Sequence, residues 1–256
     1  MLRGMYAAAS GMLVESLKAD VVANNLANVQ THGFRRQVAS VRSFPELFLY
    51  RINDSINPHD PQAPAPVGRL GLGAALDELA LSTTPGALTW TQGALDVALD
   101  GPGFLVVQTQ SGQIAYTRSG KLEVDAEGFL RGPDGAYLLG EEGPILLGMR
   151  EPVIDEAGRV WVEGEVIAVL QVVEFPQPGA LEPLGGRLYL ATAGAGEPAP
   201  AEATRVRQGY LEQANVNVVR EMVDLIAVQR AYEANQRMLV AQDETLGRLI
   251  DAARST

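Results

Sequence analysis

Small and apolar residues recur at alternating steps of four and three near the start of the chain. This is the spacing of a coiled-coil seam, and helix propensity stays good as far as Asn28. Gly33 follows as a candidate left-handed stop. The pattern predicts an N-terminal helix over about residues 1–30, with small seam residues that allow a partner helix to approach closely. The seam consists of Met5, Ala9, Met12, Ser16, Ala19, Ala23 and Leu26.

A second seam repeats every seven residues near the C-terminus and predicts a helix over about residues 217–250. Polar residues interrupt this seam, so it contributes less stability than an apolar one would. Two helices with seams at opposite ends of the chain favour an intramolecular antiparallel pair of marginal stability. The repeat consists of Val218, Leu225, Tyr232, Leu239 and Leu246, and Met222 and Ile250 extend its face.

Between about residues 95 and 191, short runs of strand-forming residues alternate with turns that contain glycine. Strands only a few residues apart, with no helices between them, predict a mainly antiparallel sheet or small barrel. The candidate strands are Phe104–Val107, Ile114–Thr117, Lys121–Val124, Ala136–Leu139, Pro152–Asp155, Val160–Val162 and Val166–Phe175.

Together these patterns predict an α+β fold with a discontinuous helical base. Residues 1–35 and 205–256 would supply the paired, coiled-coil-like terminal helices, and a mainly antiparallel β-rich domain, residues 77–204, would be inserted between them. Residues 36–76 have little periodicity and carry prolines at positions 58, 61, 64 and 66, which predicts an extended connector.

Composition narrows the classes of function. Of 256 residues, 46% are hydrophobic and 20% charged, which indicates a folded chain. The net charge of −11, without a basic stripe, argues against a nucleic-acid partner. The absence of cysteine excludes disulfides and Cys-ligated metal centres. No apolar run predicts a membrane span, and the N-terminus lacks the pattern of a cleavable secretory signal, so export would need another route.

Three asparagines, Asn24, Asn25 and Asn28, crowd the end of the N-terminal helix. Asparagine is a mediocre helix former, so this density needs a reason. Buried amides would fix the register of a helix interface, as a buried Asn does in a coiled coil. Alternatively, they would only cap a frayed helix end. Under the first hypothesis, Asn25→Leu leaves the thermal midpoint of the monomer almost unchanged and disorders the polymer.

Several strings resemble signatures of the bacterial flagellar rod and hook family. They occur in that family's order, at both termini and in the β-rich region between them, which makes the combined signal strong. In chain order they are Ala23–Asn28 with Gly33 and Phe34, Leu95–Leu99 with Gly103 and Phe104, Ala115–Gly120, and Asn215–Val219 with Glu221–Ile226 and Gln229–Asn235.

The resemblance implies a structural protein of the basal-body rod, not an enzyme, with no cofactor and no catalytic or metal site. Members of that family polymerise helically, with paired terminal helices lining the inner tube and the β domain outside. The implied partners are further copies of the chain, neighbouring rod and hook proteins, basal-body ring proteins, and the flagellar export apparatus that passes the unfolded chain. The expected assembly interface comprises Met5, Met12, Asn24, Asn25, Leu26, Asn28, Val218, Leu225, Tyr232, Leu239 and Leu246.

Within that family the chain has no room for the extra outer β domains of a hook subunit. The long segment from Phe34 to Pro85, and Gln229–Glu233, are similar to the subunit at the distal end of the rod. In contrast, Thr84–Leu88 and Gly143–Ile145 look closer to a proximal subunit. The distal position is the preferred expectation, and the proximal one is the alternative.

Two other classes compete with this interpretation: an enzyme with a β core and a surface binding module anchored by a coiled coil. An enzyme needs convergent titratable groups, but His32 and His59 stand apart and Asp125–Gly128 indicates a hairpin turn rather than a calcium loop. A binding module does not explain seams at both termini. Phe44–Phe48 resembles the export-gate motif of rod and hook subunits, although its residue types alone favour a buried anchor.

Overall fold

The fold is seen in a computed structural model that describes residues 2–51, 65–132, 134–148, 150–185 and 187–254. Most of the proline-rich part of the expected connector, with His59, lies outside these residues. Two long helices lie at opposite ends of the chain, as the seams predicted. α1 spans Leu2–Ala27 and α2 spans Val218–Arg254.

Polar residues and glycine set the inner ends of both helices. The side-chain Oδ1 of Asn217 accepts a hydrogen bond from the backbone N–H of Arg220 at 3.1 Å, which caps the start of α2. α1 ends at Ala27, and the turn after it includes Gly33, whose φ of 72° is left-handed. A side chain does not fit there, because an added Cβ would collide with the backbone of Arg118 and Ser119.

The described residues divide into two compact units, each built from separate stretches of chain. The helical unit falls within Met1–Ala23, Ala39–Glu78 and Met222–Thr256. The β unit falls within Asn24–Val38 and Leu79–Glu221.

Four strands occupy the region where the sequence predicted an extended connector. β1 pairs with β4, and β2 pairs antiparallel with β3, with Leu47 opposite Leu70. This segment pairs through its backbone and does not insert side chains into a core. Phe44 and Phe48 are therefore exposed, and the expectation of a buried anchor at Phe44–Phe48 is wrong. The strands are β1 Gln37–Ser43, β2 Leu47–Arg51, β3 Ala65–Leu70 and β4 Ala74–Leu81.

The remaining strands follow the β-rich texture predicted from the sequence. They are β5 Leu88–Trp90, β6 Val97–Asp100, β7 Phe104–Gln108, β8 Ile114–Thr117, β9 Glu123–Val124, β10 Leu130–Arg131, β11 Tyr137–Gly140, β12 Gly143–Pro144, β13 Val153–Ile154, β14 Arg159–Val162, β15 Glu165–Val169, β16 Val172–Glu174, β17 Glu182–Gly185, β18 Leu188–Leu190, β19 Ala199–Pro200, β20 Arg205–Gln208 and β21 Tyr210–Glu212, with a 3₁₀ turn at Pro178–Ala180.

The largest sheet has the strand order β17-β18-β8-β7-β11-β10-β9, with β12 on β11 and with β16 and β19 beside β7. A three-stranded sheet, β13-β14-β15, and the pairs β6–β20 and β5–β21 complete the β unit. These pairings are antiparallel, which confirms the prediction of an α+β fold with a mainly antiparallel β domain. Residues 205–212, which the sequence grouped with the terminal helices, thus supply the partners of β6 and β5.

Strand β7 lies at the centre of the β unit and faces two apolar clusters. Because successive side chains of a strand point to opposite faces, Leu105 and Val107 enter one cluster and Phe104 and Val106 enter the other. The first cluster continues through fully buried side chains of later strands, including Leu130 and Leu138. The sheet is therefore packed on both faces here.

The described residues were compared with the features of membrane-spanning helices and metal sites. Neither helix combines the length and apolarity needed to cross a membrane. His, Cys, Asp and Glu side chains do not gather in threes around a possible metal ion anywhere in the described ranges. At Asp125–Gly128 the structure has a hairpin turn, in which Asp125 Oδ1 accepts a hydrogen bond from the N–H of Phe129 at 2.7 Å.

Candidate assembly site

The two helices of the helical unit touch at glycines on α1. A Cβ added to Gly4 would lie 2.5 Å from Nε2 of Gln242, and one added to Gly11 would lie 2.9 Å from Nδ2 of Asn235. Seven residues separate the contacts on both helices, and they run in opposite directions along the two sequences. The predicted antiparallel pairing is therefore confirmed, with glycines facing amides at these positions.

The helix contact uses a second row of α2 residues that was not predicted from the sequence, whereas the predicted interruptions of the seam, Gln229, Gln236 and Asp243, are exposed. Val228, Asn235 and Gln242 are half-buried, as are Leu225 and Leu239 of the predicted repeat. Amides thus alternate with apolar residues along the side of α2 that faces α1. The contact needs both rows, because residues that repeat only every seven positions cover just part of a helix face.

Packing between the helices is incomplete in the middle of the pair. A cavity of about 250 Å³ opens between them, lined on α1 by Ser16 and Ala19 and on α2 by Val228 and Tyr232. Interiors that contribute full stability are close-packed, and unfilled space loses van der Waals contacts. The helix pair is therefore packed less tightly here than around the buried α1 side chains Ala8, Val14, Val21 and Val22.

In the β unit, a buried polar junction ties the end of α1 to the start of α2. Glu221 is fully buried, and its carboxylate accepts hydrogen bonds from Nε of Arg36 at 2.5 Å and from Nδ2 of Asn25 at 3.1 Å. The Asn25 amide also bonds the backbone of Gln37 in both directions: its Nδ2 donates to the carbonyl and its Oδ1 accepts from the N–H, each at 2.9 Å. We call Asn25, Arg36, Gln37 and Glu221 the amide–carboxylate junction.

The other two asparagines behave differently from Asn25. Asn28 donates from Nδ2 to the carbonyl of Asn24 at 2.9 Å, and its Oδ1 accepts from the hydroxyl of Thr31 at 3.2 Å, so it caps the end of the helix. The side chain of Asn24 is exposed. Each of the two sequence hypotheses thus describes one residue: Asn28 is a cap, and Asn25 is a buried amide that fixes one arrangement of the chain.

A second buried ionic cluster lies in the β unit. Glu212 accepts from Nη2 of Arg35 and from Nη2 of Arg118, both at 2.9 Å, and from the N–H of Gly86, also at 2.9 Å. Burial lowers the pKa of the Arg118 guanidinium, while the Glu212 carboxylate acts to raise it. Burial likewise raises the pKa of Tyr189, whose hydroxyl accepts from the N–H of Arg35. We call Arg35, Arg118 and Glu212 the two-arginine cluster.

The remaining predicted interface residues are less enclosed. Met5, Met12, Leu26, Val218 and Leu246 are half-buried, and Tyr232 is exposed. Met222 and Ile250, which were expected to extend the seam, are exposed as well.

An apolar stripe lies on α2 away from the contact with α1. Val219, Val223 and Ile226 are 71%, 59% and 51% exposed. Steps of four and three residues bring them to one side of the helix, about opposite the side that carries Val228 and Asn235. Exposed apolar side chains scattered singly are ordinary, but a continuous stripe on a helix marks a contact surface.

Both termini therefore form one helical element, an antiparallel β region is inserted between them, and polar side chains specify how the helices begin and end. This defines a class of discontinuous α+β proteins with an exposed helical surface. Three stretches of the chain match family profiles. These are a flagella basal body rod protein (residues 5–35), a flagellar hook protein FlgE/F/G D1 domain (98–162) and a flagellar basal body rod FlgEFG protein C-terminal region (207–252).

The matches to individual proteins extend over nearly the whole chain. A flagellar basal-body rod protein FlgG of Borreliella burgdorferi is 31% identical over 96% of this chain and 97% of its own length. A FlgG of Caulobacter vibrioides is 31% identical, again over 96% and 97%. The flagellar hook-basal body complex protein FlhO of Bacillus subtilis is 27% identical over 96% of both chains. The chain belongs to the flagellar basal-body rod protein family.

Neither Glu221 and Arg36 nor the two-arginine cluster could be predicted from the sequence as centres of buried polar contacts. Glu221 lies inside the resemblance string Glu221–Ile226, and Arg35 and Arg36 directly follow Gly33 and Phe34. A charged residue placed among apolar ones at the start of a helix was the available signal. Its partner, however, stands 185 residues away in the chain, which no local pattern reveals.

Proposed function

We propose that the chain is a structural subunit of the flagellar rod that polymerises through the helix pair α1–α2. The similarity to FlgG proteins supports a place in the basal-body rod. We place the chain in the distal part of the rod because the long segment after α1 resembles that of the distal subunit. The proposed partners are further copies of the chain and its neighbours among rod, hook and ring proteins. We also propose that it reaches the rod through the flagellar export apparatus.

The observation that carries this proposal is the exposed stripe Val219, Val223 and Ile226 on α2. The side of α2 toward α1 is already occupied, so the stripe can be covered only by something outside the helix pair. A second helix pair from another copy offers a matching helical surface. Each apolar side chain buried in such a contact contributes about 1.5–3 kcal/mol, and the contact repeats at every subunit.

Substitution of the stripe tests the proposal. Ile226→Asp places a charge in the proposed contact, where burial of an unpaired carboxylate is costly. We expect the concentration needed for polymerisation to rise by roughly tenfold or more, measured by sedimentation and negative-stain electron microscopy. The thermal midpoint of the monomer should change little, because Ile226 is exposed in the monomer.

Gln236→Asp is the matched control, since Gln236 is an exposed polar residue of the same helix. It adds the same charge to α2 and should polymerise at the wild-type concentration. Normal polymers from Ile226→Asp at the wild-type concentration would contradict the proposed use of α2.

A further inference from the structure

The β unit contains an open cavity that no described side chain fills. Its volume is about 440 Å³, within the range of about 300–1,000 Å³ typical of pockets that take ligands. Leu81, Leu88 and Phe104 contribute apolar walls, and Arg35 and Glu212 of the two-arginine cluster line it as well. A largely apolar pocket with one charged corner is suited to an apolar group that carries a charge.

The sign of the charge at that corner is positive. The two-arginine cluster contains two guanidinium groups and one carboxylate, all nearly or fully buried. Asp100 also lines the cavity, but it is exposed and pairs with Arg207 at 2.8 Å, so its charge is already matched. A buried charge without a counter-charge is unfavourable, and the excess here is one positive charge.

Backbone carbonyls compensate Arg118 more fully than they compensate Arg35. Nη1 of Arg118 donates to the carbonyls of Gly101 and Gly103, and its Nη2 reaches the carbonyl of Leu99 at 3.4 Å. Nη1 of Arg35 donates to the carbonyl of Thr84 and reaches the carbonyl of Thr83 at 3.5 Å, while its Nε makes no hydrogen bond to any described residue. Arg35, on the cavity wall, is therefore the group that an entering carboxylate would meet.

We propose that the cavity receives the segment Phe44–Phe48 of a second copy of the chain, with the Glu46 carboxylate facing Arg35. The proposal rests on the proposed function, because it requires that copies assemble. It adds to that function a contact outside the helices.

The segment has the chemistry that the cavity requires. Phe44, Leu47 and Phe48 are 39%, 50% and 59% exposed, and Glu46 is the one charged residue among them. Among the described residues Glu46 pairs with Arg69 alone, at 3.4 Å and in an exposed position, and such surface pairs contribute little. The pair can therefore be exchanged for one with Arg35.

Leu47 and Phe48 of this segment begin β2, whose described side chains are mostly exposed. β2 and β3 form a two-stranded sheet, and an isolated two-stranded hairpin is marginally stable in water. The apolar side chains of β2 would lose their exposure in the contact, and the pocket would lose its uncompensated charge. The two surfaces thus complement each other in both polarity and charge.

A cross-linking experiment tests the contact directly, because the chain has no cysteine of its own. Phe48→Cys, labelled with ¹⁵N, and unlabelled Leu88→Cys are mixed, polymerised and oxidised, and disulfide-linked peptides are identified by mass spectrometry. We expect a link between a labelled peptide with position 48 and an unlabelled peptide with position 88. Phe48→Cys mixed with Leu146→Cys is the control, since Leu146 is exposed but does not line the cavity.

The outcomes separate this inference from the proposed function. Normal polymers without the 48–88 link would overturn the inference and leave the proposed function intact. Failure of the unmodified chain to polymerise under any condition would overturn the proposed function and the inference with it.

Charge reversal gives an independent readout. Glu46→Arg would place a third cation at the two-arginine cluster and should raise the concentration needed for polymerisation by roughly tenfold. Glu78→Arg makes the same change at an exposed position of β4 and should have little effect. Equal effects of the two variants would count against the proposed pairing of Glu46 with Arg35.

Discussion

The helical unit and the β unit differ in how many of their apolar side chains are buried. In the β unit, side chains such as Leu105, Leu130 and Leu138 are fully removed from water, and β7 has packed layers on both faces. Along the described length of α2, Glu221 alone is fully buried, and it belongs to the β unit. The β unit is thus stabilised by its own core, whereas the helix pair leaves much of its apolar surface exposed.

The largest expected effect comes from the amide–carboxylate junction. Glu221→Ala leaves the Arg36 guanidinium without its buried carboxylate, and breaking a buried pair in this way costs about 3–5 kcal/mol. Asn25→Leu should cost about 1–3 kcal/mol, because the polar backbone of Gln37 loses its partner. Urea unfolding of the monomer measures both.

Glu233→Ala is the control for the junction, as Glu233 is an exposed carboxylate of the same helix. It should change the free energy of unfolding by less than about 0.5 kcal/mol. If Glu221→Ala changed the free energy of unfolding as little as Glu233→Ala does, the junction would contribute nothing to the stability of the monomer. The expected difference between buried and exposed carboxylates of α2 would then be absent.

A pair of leucine truncations sharpens the comparison of the two units. Leu130→Ala, in the β-unit core, should lower the free energy of unfolding by about 2–5 kcal/mol. Leu239→Ala, half-buried in the helix pair, should cost the monomer about 1 kcal/mol or less because it leaves little enclosed volume. Hydrogen exchange should place the Leu239 effect on α1 and α2 amides alone, and similar costs at the two positions would show that the helices are packed as well as the core.

The smallest effect concerns pH and a turn of the β unit. Burial acts to raise the pKa of Asp155, but hydrogen bonds from the backbone and side chain of Arg159 and from Trp161 outweigh it, so this pKa lies below its usual value. A lowered pKa in the folded state contributes stability above the unfolded value, near 3.9, and this stability is lost as pH falls through the folded value.

We therefore expect Asp155→Asn to be slightly less stable than the unmodified chain at pH 7, with the difference shrinking below about pH 4. Denaturant midpoints at pH 7 and pH 3 measure it. A difference of the same size at both values would mean that the Asp155 charge plays no part in holding the turn.

Much of the fold could be predicted because its signals are local. The helices follow from apolar spacing, and strands such as Phe104–Gln108 and Ile114–Thr117 follow from runs of strand-forming residues between turns. The long run Val166–Phe175 was harder, since β15 and β16 divide it between two sheets. A continuous apolar run does not indicate at which residue the chain passes from one sheet to another.

The features that escaped prediction depend on residues far apart in the chain. The strands β1 to β4 expose most of their side chains, so they leave no clear alternation of buried and exposed residues to read. Asn25 could be singled out as unusual, but the choice between a cap and a buried amide required Gln37 and Glu221 in place. With them in place, the expectation that Asn25→Leu spares the monomer no longer follows from the contacts of Asn25.

The separation of 196 residues between Asn25 and Glu221 has a kinetic consequence. Closing so long a loop is slow unless the intervening chain is already compact. α2 follows every other described element, so a chain interrupted before α2 lacks Glu221, the carboxylate that Asn25 and Arg36 bind. Under the proposed function such a chain would also lack half of the proposed assembly surface, and incomplete copies would stay out of the polymer.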